Sequence, residues 1–431
     1  MRSYYPLLDI LRFASALGVA FFHLMFWSWA GIFSGIGQTK QIFKGAAQFP
    51  FAIDFTWFGW VGVDVFFVIS GFVIANSASN TSASEFLLGR VLRLYPAVWV
   101  CSTATFIVLL LFASGSASEF IVPYLRAMLL IPKGLNGQWL DCVYWTLSAE
   151  MAFYGLVSCA LLTKRVTLRH LAWGLTIYSG VFNALALLVV SQMTPSDIPY
   201  LVILMFRVPC ATWLLSHGCF FALGIWLFIS ANRKLTAFEL FAVAVTCLSG
   251  AAEIYCFSDF LLKSIPAISE ESPLVPILVW AAAVLIIALA ANRSRHSTGT
   301  AHDAAGSSKA NYLRTMGLIT YPLYLTHDIV GSAIIRVLVD AGLDDTLAVV
   351  VALGMLVLLC WLICAKIEPA IRDLCRHALA NLGLLPKTAP IAGLRKPSST
   401  SILSASPVPA SPSPGLRLPL PARGEASFAG R

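Results

Sequence analysis

The sequence predicts an all-α polytopic membrane protein with about ten transmembrane helices and both termini on the cytoplasmic side. Three observations carry this expectation. First, 58% of the 431 residues are hydrophobic and only 12% are charged, whereas soluble domains sit at roughly 45–50% and roughly 25%. The mean hydropathy is accordingly high, +0.80. Second, apolar runs near the ~20 residues needed to cross a bilayer core recur along the chain. Third, Lys and Arg gather in alternate connections between those runs, the pattern of cytoplasmic loops.

In order, the runs fall at 7–29, 57–77, 94–113, 143–163, 170–190, 210–230, 238–257, 274–291, 313–338 and 346–367. The first, LLDILRFASALGVAFFHLMFW, is longer than the ~7–15-residue apolar core of a signal peptide and lacks a clear small-x-small cleavage site. It is expected to stay in the membrane. With the N-terminus inside, Arg2, Arg90, Arg93, Lys164, Arg165, Arg169, Arg233 and Lys234 fall on the inner side. Asp197, Asp259, Glu270 and Asp344 fall outside. The apolar segment 198–211, broken by Arg207 and Pro209, reads as a re-entrant or interfacial piece. From about Leu384 the chain turns rich in Pro and Ser. Residues 1–383 are therefore expected to form the transmembrane domain and 384–431 a disordered cytoplasmic tail.

The net charge of +8 is scattered between apolar runs. That distribution suits topology signals and argues against a nucleic-acid partner. Ten cysteines, mostly within apolar runs, show neither CxxC pairs nor Cys/His ligand spacing. They read as small apolar packing groups, and no metal site is expected from them.

Ionisable residues at membrane depth are functional candidates by default, because each one needs a partner or a cavity. Arg12 and His23 are 11 residues apart in the first span, which puts them on one helix face about 16 Å apart. Asp64 and Ser70 lie in the second span, Ser148 and Glu150 in the fourth, and Tyr321, Tyr324 and His327 in the ninth. Counted at ~1.5 Å per residue, His23, Asp64, Glu150 and His327 reach one depth, roughly 6–10 Å from the outer boundary. One shared polar chamber is expected, with isolated structural pairs as the alternative. On the inner side, Arg90 and Arg93 stand one helical turn apart. Two guanidiniums so spaced suit either forked hydrogen bonds to phosphate or plain positive-inside anchoring.

Five phrases in order carry a resemblance: Arg, ten residues, His; GVDVFFVISGF; RVLRLYP; WTLSAEMAFY; and YPLYLTH. Together they resemble the acyltransferase-3 family of membrane O-acyltransferases over roughly residues 5–375. The resemblance implies an acyl-CoA donor, acetyl-CoA by default, with no bound cofactor. It also implies a hydroxyl acceptor on a cell-envelope saccharide or glycolipid, and residence in a bacterial inner membrane. It marks Arg12 and His23 as essential and assigns Arg90 and Arg93 to the family's arginine pair. The hydroxyl that usually precedes the late tyrosine is carried here by Thr320, and Pro322 follows Tyr321.

The expected roles then follow from acyl-transfer chemistry. His23 is the general base, Glu150 or Asp64 orients it, and Tyr324 or Ser148 donates to the oxyanion. Arg12, Arg90 and Arg93 bind the donor's phosphates, and Ser70, Tyr321 and His327 complete the polar lining. The competing class is a multi-span transporter or exporter without acyl chemistry.

Overall fold

A computed structural model of the chain describes residues 5–30, 42–43, 45, 47–79, 81–133, 137–192, 213–296 and 308–383. The proposed re-entrant segment 198–211 and the Pro/Ser-rich tail lie outside these residues.

Among the described residues every regular element is helical. Helix α1 (Pro6–Phe21) opens with Pro in its first turn, where a missing N–H breaks no intrahelical bond. It continues through a π-helical stretch, Phe22–Trp27, into Ser28–Ala30. Helix α2 (Gly62–Ala78) follows short turns of helix from Pro50. Helix α3 (Ala83–Phe112) begins at a capping box: Glu85 N–H donates to Ser82 Oγ at 3.3 Å and Ser82 N–H to Glu85 Oε2 at 3.1 Å. The same reciprocal cap starts α4 (Ala117–Leu129) with Ser116 and Glu119. Then come α5 (Trp145–Thr163), α6 (Leu168–Gln192), α7 (Gly218–Asn232), and α8 (Ala237–Ser264), which is capped by Thr236 and Glu239. Helices α9 (Leu274–His296), α10 (Ser308–Thr326), α11 (Ile329–Asp340), α12 (Asp345–Leu362) and α13 (Glu368–Asn381) follow among the described residues.

Eight helical stretches among these residues are long and apolar enough to cross a bilayer, and α10 with α11 makes a ninth. Their outward faces carry Leu111, Leu162, Leu188, Leu248, Leu278 and Leu358, all exposed. Apolar side chains repeated on outward faces of long helices need lipid rather than water around them. The protein is an integral membrane protein of the all-α polytopic class.

Two elements depart from the sequence expectation. The sixth segment forms a helix of 15 residues, Gly218–Asn232, about 22 Å long and short of the ~30 Å hydrocarbon core. It is buried on nearly all sides and packs against α2, α6, α8 and α9. A helix apolar all round belongs in an interior. It meets α2 so closely that a Cβ at Gly71 would strike the Phe221 carbonyl and one at Gly224 the Val68 carbonyl. Small residues let helix backbones approach in this way.

The ninth segment, expected as one helix, is bent by 76° between α10 and α11. Pro322 removes the N–H that would bond to the Leu318 carbonyl, and Cys364 Sγ stands 3.4 Å from that oxygen. Five to six residues on, the chain breaks at His327–Asp328.

Candidate active site

A cleft opens among α1, α2, α3, α5 and α10, with about 820 Å³ of empty space including its open mouth. Arg12, Arg90 and Arg93 all line it. The capped start of α3 presents Arg90 over the rings of Phe86 and Tyr154, at 5.5 and 5.8 Å from the centroids. Arg90 Nη2 donates to Ser77 Oγ at 2.7 Å, while its buried Nε has no hydrogen-bond partner. Arg12 lies 3.6 Å from Asp9 Oδ1.

Glu150 is the one carboxylate among the cleft's lining residues. Its Oε1 accepts from Tyr154 OH at 2.6 Å and from Ser70 Oγ at 3.2 Å. Three guanidiniums facing one carboxylate leave the wall cationic. Fixed cations in a low-dielectric cleft are the electrostatics of an anion site, and forked guanidiniums suit phosphate.

The cleft also includes Thr320, Tyr321 and Tyr324 from α10. The Tyr321 hydroxyl is buried without a hydrogen-bond partner. Tyr324 OH donates to the Val143 carbonyl at 3.4 Å, and its ring lies 5.6 Å from that of His327. His327 in turn reaches His23: His327 Nε2 and His23 Nδ1 are 3.1 Å apart. A continuous path of side chains thus runs from the arginine cleft through Tyr324 and His327 to His23.

Carbonyls at the end of α10 select the tautomers of this histidine pair. His327 Nδ1 faces two carbonyls, Tyr324 O at 2.8 Å and Leu323 O at 3.3 Å. Carbonyls only accept, so Nδ1 carries the proton and neutral His327 offers Nε2 as an acceptor. His23 Nδ1 then faces two acceptors, His327 Nε2 and the Val19 carbonyl at 3.0 Å. It must donate, which leaves the His23 Nε2 lone pair as the basic site. His23 occupies the second position of the π-helical stretch, a distortion frequent at functional sites.

Geometry divides the single chamber expected from depth into separate clusters. Glu150 serves the cleft, and the ring partner of His23 is His327, not Glu150 or Asp64. Asp64 sits with His217 and Glu253 in the core. Ser148 lines a second, small pocket with Arg126, Trp139 and Tyr144. It is two residues from Glu150, about 200° around the helix, and so faces away from the cleft. Depth counts residues along an axis and carries no information on azimuth. Tyr154 was not singled out from the sequence, although its place four residues after Glu150 put both on one face.

A polytopic helical protein with a cationic intramembrane cleft leading to a paired histidine is the class defined by this arrangement. The chain belongs to the acyltransferase-3 family: the family's model, described as an acyltransferase domain, matches residues 5–365. It is similar to the exopolysaccharide production protein ExoZ of Rhizobium meliloti (strain 1021), 30% identical over 138 residues, which is 30% of this chain and 41% of that protein. It is also similar to the peptidoglycan O-acetyltransferase OatA of Listeria monocytogenes serovar 1/2a, 26% identical over 360 residues, 76% of this chain and 49% of that protein. The chain thus spans half or less of the length of these curated relatives. No solved structure matches it.

Proposed function

We propose that the protein is a membrane O-acyltransferase that moves an acyl group, acetyl by default, from acyl-CoA to a hydroxyl of a cell-envelope saccharide or glycolipid. The observation that carries this is the connection, through Tyr324 and His327, between a cleft lined by Arg12, Arg90 and Arg93 and the histidine His23. Family membership and a relative named as a peptidoglycan O-acetyltransferase support it.

In this proposal the arginines hold the CoA phosphates and the pantetheine arm extends along α1, whose Arg12-to-His23 rise is about 16 Å. His23 Nε2 takes the proton of the acceptor hydroxyl as oxygen attacks the thioester carbonyl. Tyr324 turns its O–H from the long Val143 contact to the developing oxyanion. The C–S bond breaks, and the thiolate leaves with the proton that His23 accepted. His327 Nε2 accepts from His23 Nδ1–H throughout and stabilises the imidazolium. Glu150, tied to Ser70 and Tyr154, fixes the cleft wall instead of the base. The N-terminus is inside, the donor enters from the cytoplasm of a bacterial cell, and the acceptor approaches from the outer half of the membrane.

The bend between α10 and α11 favours the rival transporter class, where broken helices surround a midplane site. Membranes bearing wild type or His23→Ala, given radiolabelled acetyl-CoA and cell-envelope saccharides, distinguish the two. Label transferred by wild type alone supports acyl chemistry. Equal transfer by a folded His23→Ala variant removes His23 as the base. No transfer across a panel of acyl donors and envelope acceptors removes the enzyme assignment.

A further inference from the structure

We propose that Asp64, His217 and Glu253 form a binding site for a divalent metal ion of the zinc or manganese kind, buried where α2, the start of α7 and α8 meet. The proposal is independent of acyl transfer. The three residues come from distant parts of the chain, so no local ligand spacing announces them. Each is 2% exposed, and one ligand atom from each lies within 4.8 Å of the other two. Donors held at about 2.0–2.2 Å from one ion stand roughly 3–4.4 Å from one another.

Charge and hydrogen bonding both point to a cation. With His217 neutral, two carboxylates bring a charge of −2 into a site walled by the rings of Phe67 and Trp145, 5.5 and 5.0 Å from the imidazole. Buried carboxylates without compensation are strongly disfavoured. Asp64 Oδ2 and Glu253 Oε2 are both buried without a hydrogen-bond partner. His217 Nε2 lies 3.3 Å from Glu253 Oε1, a separation that two ligands of one ion can take. His217 Nδ1 is 2.7 Å from Ser216 Oγ, the outer partner that fixes a ligating imidazole with its other nitrogen toward the metal. An imidazole with two carboxylates suits zinc or manganese, and the absence of thiolate disfavours copper(I). The ion would clamp three helices directly behind Phe67, which also lines the arginine cleft.

The test uses full-length protein purified in detergent from zinc- and manganese-supplemented cultures. Elemental analysis should find about one equivalent of zinc or manganese per chain. EDTA treatment should lower the unfolding temperature, and Zn²⁺ or Mn²⁺ added back should restore it. Asp64→Asn with Glu253→Gln should hold at least about tenfold less metal and show no thermal response to either ion. Wild type with less than about a tenth of an equivalent and no thermal response would overturn the site, as would full occupancy in the double variant. If the double variant does not fold, wild-type stoichiometry and the chelation cycle still decide.

Discussion

Replacing Arg90 with alanine isolates the donor-binding part of the proposed function. In the structure its Nη2 is committed to Ser77 Oγ at 2.7 Å, and its flat face lies over Phe86 and Tyr154. That leaves the buried Nε without a partner and the remaining N–H groups for an anion in the cleft. A hydrogen bond between charged groups contributes about 1.5–3 kcal/mol, and each 1.4 kcal/mol is about tenfold in affinity. Arg90→Ala is therefore expected to raise the Kd for acetyl-CoA about 10–150-fold. Isothermal titration in detergent or nanodiscs reads the effect. S-acetylpantetheine, which has the thioester but no phosphate, is the control, and its affinity should be unchanged. Equal weakening of both donors would mean that Arg90 merely holds α3 against α2 through Ser77, and the phosphate role would be refuted. Arg90→Lys should recover only part of the affinity, because an ammonium keeps the charge but loses the planar fork.

Other perturbations probe the remaining links. His327→Ala leaves Val19 O as an acceptor for His23 Nδ1–H but removes the partner that stabilises the imidazolium, so kcat should fall about 10–100-fold with little change in KM. His327→Gln, with an amide oxygen in place of Nε2, should recover much of that rate in the same radiolabel assay, and no recovery would argue against the hydrogen-bond role. Tyr154→Phe keeps the ring under Arg90 but deletes the 2.6 Å bond to Glu150. It should cost about 1.5–3 kcal/mol of stability in denaturant titration, because the bond is made to a carboxylate. Gly224→Ala drives a methyl into the Val68 carbonyl; overpacking of this kind costs about 1–3 kcal/mol or more and should lower the unfolding temperature in a thermal-shift assay. Ser148→Ala, facing the other cavity, should leave donor affinity unchanged.

Much of the architecture is legible in the chain because hydropathy and span length belong to individual segments. A run such as 237–264 must cross or enter the bilayer whatever its neighbours do, since no other environment satisfies both its side chains and its backbone. The arginine side of the site is legible for a similar reason: Arg90 and Arg93 are one turn apart on one helix, and Arg12 lies near the same end of another. Glu253 also carried a signal, a carboxylate inside an apolar run, yet nothing in the sequence connects it to Asp64 or His217.

The sequence by itself determined the membrane class, the positions of the apolar segments, the identity of Arg12 and His23 as ionisable residues within an apolar run, and the one-turn spacing of Arg90 and Arg93 beside another. Only the tertiary structure decided which of the buried ionisable groups meet. Azimuth separates Ser148 from Glu150 although they are two residues apart. Helix packing takes Asp64 away from His23 and gives it to His217 and Glu253. The end of α10 sets two carbonyls against His327 Nδ1 and so pins its tautomer, and through it that of His23. These are relations between helices, set by close contacts such as Gly71 against Phe221 and by a proline's missing hydrogen bond, and no one-dimensional pattern records them.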